Sequence, residues 1–372
     1  MSAPTLTRPQ ARAGTDLPIV VAGGGSRGLA AAEALLDAGR SVVVVEAADA
    51  VGGLARSVEL WGLPHSLAAP GVPGSAAAGV PAQWLDLAGG HVERTAAHRA
   101  TVRGGRPTGP ARPAGRLARS AARLAGAPAL AGRHDVLSPV AGTGALWAEL
   151  ARRLRARGAV LLLGATAVGL QVQDGRVRGL CVRDAAGEHV VAARAVVDAL
   201  PAHRRLLAPG AVAVARSLDT HLVHLLVDAP DGAPVGPPAH EVTVEDPSLR
   251  TRRLTAARAW RPRALAGPAG AVLRAELRTA AGDEVATLDD AALRDLVVAE
   301  LPALGVTRPV RVLEHAVVHL PASAPVPGAA LTEVPGALPV GLVRAEDGPV
   351  PGAGDGLPAG RAAAALLPLP VR

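Results

Sequence analysis

The chain has 372 residues and a formal net charge of +7, with 39 basic residues that are all arginine, 32 acidic residues and a single cysteine, Cys181. Arginine does not deprotonate, so the basic balance is fixed, while one cysteine excludes an intramolecular disulfide, a thiolate zinc site and an iron–sulfur cluster. Four tryptophans and no Phe or Tyr leave Leu, Val and Ala to fill a core that large rings would ordinarily dominate.

Residues 1–16 read as a disordered tail. There is neither a signal-peptide core nor an uncharged apolar run of the ~18 or more residues that a membrane span needs, so a cytoplasmic protein is expected. The first ordered element is Leu17-Pro-Ile-Val-Val-Ala22, a short β-branched run that reads as a buried parallel strand. Gly23-Gly-Gly25-Ser26-Arg27-Gly28 follows at once, then a helical pattern with Leu29, Ala32, Leu35 and Leu36 on one face, closed by Gly39. A second strand, from Ser41 to Val45, stops at Glu46.

Each part of that unit has a physical task. Gly23 permits a tight turn, Gly25 lets backbone amides approach a pyrophosphate, and Gly28 lets the helix pack on the strand. The helix N-terminus offers free N–H groups and a partial positive charge to phosphates. Glu46, 18 residues after Gly28, can accept hydrogen bonds from ribose hydroxyls, and its charge disfavours a 2′-phosphate. Among 43 glycines a lone GxGxxG carries little weight, but here strand, helix and acid all stand where the motif needs them. Gly23, Gly25, Ser26, Arg27, Gly28, Glu46 and Ala47 are therefore candidate nucleotide-binding residues.

Six residues after the acid stands the first glycine of the pair in Val51-Gly52-Gly53-Leu54-Ala55-Arg56-Ser57. This run resembles the GG-x-x-R-S signature of the flavin amine oxidase, phytoene desaturase and protoporphyrinogen oxidase superfamily. The resemblance implies FAD, with this segment along the pyrophosphate, Arg56 near phosphate or flavin, and Gly52, Gly53 and Leu54 beside it. The bland alternative is a surface glycine turn with a solvated arginine, and a plain NAD-binding protein remains a weaker reading.

Later segments extend the resemblance. Ala141-Gly-Thr-Gly-Ala-Leu-Trp147 to Gly164 is similar to the superfamily's glycine-started helix and following strand. Gln171 to Leu180 alternates around Asp174-Gly175, a hairpin signal, and a second hairpin runs from Cys181 to Val191. Ala195-Val-Val-Asp-Ala-Leu-Pro201 is similar to the return strand beside the FAD, and the resemblance puts the adenine contact at Ala167 or Val168. At the C-terminal end, Gly341 to Asp355 and the Ala-rich run to Leu367 resemble the closing strand, loop and helix. There the superfamily has a Gly-Asp pair that binds the ribityl or pyrophosphate region, whereas Gly341 is followed by Leu342. Restoring the acid with Leu342→Asp is then expected to tighten FAD about tenfold, and Asp355 is expected to cap the last helix.

The resemblance implies an α/β fold: a Rossmann-like FAD-binding domain (βαβ, central parallel sheet) from 17–66, 138–208 and 319–367, interleaved with an α+β substrate domain. The substrate domain takes 67–137 and 209–318 and contains an antiparallel sheet. Arg94 to His134 holds nine arginines and no acid, with Arg116, Arg119 and Arg123 on one helical face. That face is either a solvated basic helix or a contact for a membrane surface or anionic substrate; no nucleic-acid motif accompanies it. His221 to Val227, Glu241 to Arg253 and Gly270 to Leu277 read as strands, and Asp289 to Leu301 as a helix capped by Thr287 or Asp289.

With no Lys, the lysine–water contact to flavin used by many amine oxidases cannot form, and with no Tyr neither can an aromatic amine cage. What remains is hydride removal from an apolar or conjugated small molecule, with FAD as acceptor; the alternative is a catalytically degenerate flavin-fold scaffold. Histidines are the candidate acid–bases near neutral pH, and His65, His221, His224, His315 and His319 stand out by position. None is assigned a catalytic role, and no metal site is assigned.

Overall fold

A strand composed of Ile19, Val20, Val21 and Ala22 has no polar face to offer water, so it must be central and covered on both sides. In the computed structural model all four residues are buried, and the strand Ile19–Ala22 lies in the middle of a five-stranded sheet. The structure describes residues 17–67, 72–73, 87, 92–97, 99–104, 106–108, 134–201, 204–206, 213–214, 217–228, 236–237, 239–257, 271–325, 332–333, 339–345 and 356–365. The expected 1–16 tail, the Arg116, Arg119 and Arg123 face and the Asp355 cap lie outside them, as does most of the Arg-rich 94–134 segment.

The chain divides into two compact units, Met1–Gly53 with Leu150–Ala213 and Glu333–Arg372, and Leu54–Glu149 with Val214–Thr332. The sheet of the first unit runs, in spatial order, Val160–Leu163, Val42–Glu46, Ile19–Ala22, Ala195–Asp198 and Leu342–Arg344, and every pairing is parallel. Parallel neighbours need crossovers. The first is the helix Ser26–Asp37, which buries Leu29, Ala32 and Leu35 and is terminated by Gly39 at φ +70°. Its outer side receives the helix Gly356–Ala365, where a Cβ on Gly360 would come within 2.6 Å of the Ala31 carbonyl oxygen. Only a glycine allows that approach.

A three-stranded antiparallel meander, Thr166–Gln173, Arg176–Asp184 and Gly187–Ala192, joins the same unit. Its first turn is the Asp174-Gly175 pair, both at positive φ (51° and 68°), as a two-residue hairpin with strand-matched twist requires.

The second unit holds a seven-stranded sheet in the order Val312–Pro325, Ser217–Val227, Ala271–Thr279, Thr251–Ala256, Glu241–Val244, Arg99–Arg103 and Arg106–Thr108. It is antiparallel except where Glu241–Val244 pairs with Arg99–Arg103. Val223, Leu225 and Val227 alternate onto one face, where Leu293 and Val297 of the helix Asp290–Glu300 join the same core. Asp289, not Thr287, caps that helix by accepting from the Ala292 amide at 2.8 Å. Among the described residues, no helix is long and apolar enough to cross a membrane.

Candidate functional site

The carboxyl edge of a parallel sheet is where a first strand and its crossover helix leave backbone amides pointing outward. Here Gly23 turns the chain at φ +102°, a conformation L side chains avoid. Gly28 sits against that turn so tightly that a Cβ would lie 1.8 Å from the Gly23 carbonyl oxygen. The helix that follows has Gly25 at its N-cap, no side-chain cap and no acid in its first turn. The helix N-terminus, opening at Ser26, therefore points its first-turn amides at the position a phosphate would take.

Glu46 ends the second strand and locks the turn: its carboxylate accepts from the Gly24 amide at 2.7 Å and the Ala48 amide at 3.0 Å. A carboxylate has about four acceptor positions, so two remain for hydroxyls. The second glycine pair comes to the same place. The Gly52 amide donates to the Gly24 carbonyl at 2.8 Å, and a Cβ built on Gly25 would meet only the Gly53 Cα, 4.0 Å away. Two glycine turns thus face each other across a space that a side chain on either would begin to fill. That is the geometry a pyrophosphate needs, and the residues present fit one.

Of the other sequence candidates, Ala47 is exposed just beyond Glu46, and the Ala165 amide donates to the Glu46 carbonyl at 3.0 Å. That bond brings Ala167 and the exposed Val168, where the ladder is bulged, to the same edge of the sheet. Leu54 and Arg56 belong to the second unit. Leu54 is exposed in the short turn Gly53–Ala55, and the Arg56 carbonyl accepts from the Leu67 amide.

Gly341 and Leu342 are not where the resemblance put them. Their strand is parallel to Ala195–Asp198 and begins at Leu342 beside Val196, so both residues lie at the amino end of the sheet. Leu342 is buried in the core with Val20, Val45, Val177, Leu180 and Val196 and can meet no cofactor hydroxyl. The expected tightening by Leu342→Asp is withdrawn for that reason. The same strand reaches the carboxyl edge at Ala345, whose amide donates to the Asp198 carbonyl, and the next residues in the sequence are Glu346 and Asp347.

Asp198 is the residue that the sequence reading passed over. It ends the return strand at the carboxyl edge, is 2% exposed, and accepts from the Leu200 amide at 3.1 Å and the Leu206 amide at 2.8 Å. Burial raises its pKa to about 6, against the lowering effect of those amides, Arg344 and Arg205. A carboxyl whose folded pKa lies above its unfolded value disfavours folding when charged, so stability is gained as pH falls from about 6 towards about 4. Wild type should therefore gain about 2 kcal/mol relative to Asp198→Asn between about pH 6.5 and 4.5. Urea denaturation of both proteins measures it, and parallel pH profiles would show that Asp198 is not a buried acid. The signal available in the sequence was a lone acid closing an apolar run.

In the second unit the hairpin Ser57–Leu60 and Leu63–Ser66 is fastened to the start of the helix Thr143–Ala156. The Ser66 and Thr143 hydroxyls lie 2.7 Å apart, Thr143 donates to the Ala55 carbonyl, and the Ser57 hydroxyl accepts from the Gly144 amide. His65 lies in this hairpin, edge-on to His224 with ring centroids 5.6 Å apart. Burial, with help from Arg274 and His65, lowers the His224 pKa to about 3, so His224 is neutral across the physiological range and cannot act as an acid. Arg274 donates to the Ser66 carbonyl, and burial brings its pKa down to about 10. His221 and His224 do lie on opposite faces of their strand, and His221 pairs with His319. Among the described residues, no group of three or more His, Cys, Asp or Glu is placed to hold a metal ion.

Residues 21–84 match the model of the NAD(P)-binding Rossmann-like domain family. No curated protein sequence matches the chain. Solved structures do. A protein of Exiguobacterium sp. 255-15 assigned as a protoporphyrinogen oxidase is 15% identical, with a TM-score of 0.66 over 94% of this chain and 98% of that one. A reduced UDP-galactopyranose mutase is 13% identical, with a TM-score of 0.58 over 82% of each chain. A putrescine oxidase with bound putrescine is 15% identical, with a TM-score of 0.58 over 94% and 98%. The chain therefore shares the fold of these three structures, and its residues 21–84 match an NAD(P)-binding Rossmann-like domain.

Proposed function

We propose that the protein is an FAD-dependent oxidoreductase that removes hydride from an apolar or conjugated small molecule. The observation that carries this reading is the pair of glycine turns, Gly23–Gly25 and Gly52-Gly53, facing each other at the carboxyl edge of the parallel sheet. A nicotinamide site needs the first turn alone; the second suits the longer contact made along a flavin dinucleotide.

The Ser26 and Arg27 amides and Gly25 would hold the pyrophosphate, Glu46 the ribose hydroxyls, and Ala167 or Val168 the adenine side. Glu46 does two jobs, because the carboxylate that would meet the ribose also fixes Gly24. When bound, the flavin supplies the hydride acceptor. The protein supplies position and shielding, and the absence of Lys and Tyr leaves the substrate to be held by apolar contact and arginine. Of the two features behind the scaffold alternative, Leu342 as a lost cofactor ligand and a signal-poor substrate region, the first gives it no support, because Leu342 is a core residue.

The test is the absorbance spectrum of purified protein: a flavin spectrum supports the reading. Binding of reduced nicotinamide with no flavin would replace it. Gly25→Val refines the test. Gly25 has φ −71° and ψ −179°, open to any residue, so valine fits the backbone and fills only the space between the turns. Flavin content should fall at least about tenfold while far-UV circular dichroism stays unchanged. A valine variant that purifies with full flavin would displace the phosphate site from these turns.

A further inference from the structure

Four side chains of the second unit, drawn from three strands and a helix, form one continuous hydrogen-bonded chain. The Thr279 hydroxyl lies 2.9 Å from His221 Nε2, His221 Nδ1 lies 2.8 Å from His319 Nδ1, and His319 Nε2 lies 3.1 Å from an Asp290 carboxylate oxygen. Asp290 is the first residue of the helix Asp290–Glu300, while His221, Thr279 and His319 stand on three adjacent strands of the sheet. The chain therefore ties the start of the helix to the sheet.

Donor and acceptor chemistry leaves it one arrangement when both imidazoles are neutral. A carboxylate only accepts, so His319 carries its proton on Nε2 and presents a bare Nδ1. His221 must then donate from Nδ1, and its bare Nε2 accepts from the Thr279 hydroxyl. One added proton keeps every contact: His221 gains a proton at Nε2, donates to the Thr279 oxygen, and the two Nδ1 atoms still share a single hydrogen. A second added proton cannot be accommodated. Two N–H groups would then point at each other across 2.8 Å, and the contact must break.

We propose that the His221–His319 pair is a one-proton clasp that fastens the helix Asp290–Glu300 to the sheet and opens when both imidazoles are charged. The charged groups facing the pair are Asp219 on its own strand, Asp283 in the turn after Thr279, and Asp290 on the helix. They favour the first proton. Burial of His221 and the charge on His319 oppose the second, which sets the His221 pKa below its ordinary value. A histidine with a lowered folded pKa contributes stability that is present above its unfolded pKa of about 6.5 and is lost as pH falls below it. The two-proton step belongs to the pair, so removing the His319 ring removes the clash of facing N–H groups and leaves only the burial of His221 to oppose its charge.

Native-state hydrogen exchange of the full-length protein, corrected for the intrinsic pH effect, tests the clasp. In wild type, protection of the amides of Asp290–Glu300 should fall about tenfold between about pH 7.5 and 5, while that of the helix Thr143–Ala156 stays level. In His319→Gln, which removes a half-exposed ring and leaves the core intact, protection of Asp290–Glu300 should be lower at about pH 7.5 and fall less steeply with pH than in wild type. Level protection in wild type, an equal loss in both helices, or the same pH dependence in His319→Gln would each overturn the proposal.

Discussion

Gly28→Ala is expected to prevent the first unit from folding normally. The new Cβ would stand 1.8 Å from the Gly23 carbonyl oxygen, 2.9 Å from its carbon and 3.4 Å from Val21 Cγ1. Backbone cannot rotate away as a side-chain end can, so the helix Ser26–Asp37 must lift from the strand Ile19–Ala22. Lifting unpacks Leu29, Ala32 and Leu35, all fully buried, and moves the helix N-terminus off the phosphate position. Overpacking commonly costs about 1–3 kcal/mol, and a clash with the Gly23 backbone, which cannot swing aside, belongs at or above the top of that range. The expected result is insoluble protein, or a urea midpoint far below wild type with no bound flavin. Gly25→Ala is the control, since an added Cβ there meets nothing nearer than 4.0 Å. Wild-type stability in Gly28→Ala would mean that helix and strand do not pack as described.

The second large effect is expected from Leu342→Asp. Leu342 is 7% exposed, and its neighbours Val20, Val45, Val177, Leu180 and Val196 offer no hydrogen-bond donor from their side chains. Removing a buried leucine costs about 2–5 kcal/mol in lost packing. The carboxyl must also either be buried as a charge or take up a proton at neutral pH, adding at least about 1–3 kcal/mol. The sum is comparable with the whole stability of a typical domain, about 5–15 kcal/mol. Thermal unfolding should show a large fall in midpoint, and Leu342→Met, which keeps volume, should lie within about 1.5 kcal/mol of wild type. Near-normal stability together with tighter flavin binding in the Asp variant would restore Leu342 to the cofactor site.

Features written within a few residues of one another were legible without the structure. Gly23, Gly25 and Gly28 between an apolar strand and an amphipathic helix, the acid at Glu46, and the Asp174-Gly175 turn all express backbone constraints that act over one turn or one hairpin. Those constraints hold whatever the rest of the chain does, and the structure reproduces them in detail, from φ +102° at Gly23 to the Asp289 cap.

What depends on how distant strands align was not legible. The run Gly341-Leu-Val-Arg-Ala345 reads as a strand, but its letters do not say which end meets the cofactor edge. Pairing Leu342 with Val196 and the Ala345 amide with Asp198 decides that, and it moves Leu342 from a presumed ligand position into the core. Asp198 looks like any acid after an apolar run until Leu200 and Leu206 turn their amides onto it. His221 and His319 are 98 residues apart, and only the register of two antiparallel strands sets them face to face. Local sequence determined the turns, caps and glycine contacts because their energies are local. The tertiary structure decided which side chains share a site, because strand register is fixed by burying one face of a sheet as a whole.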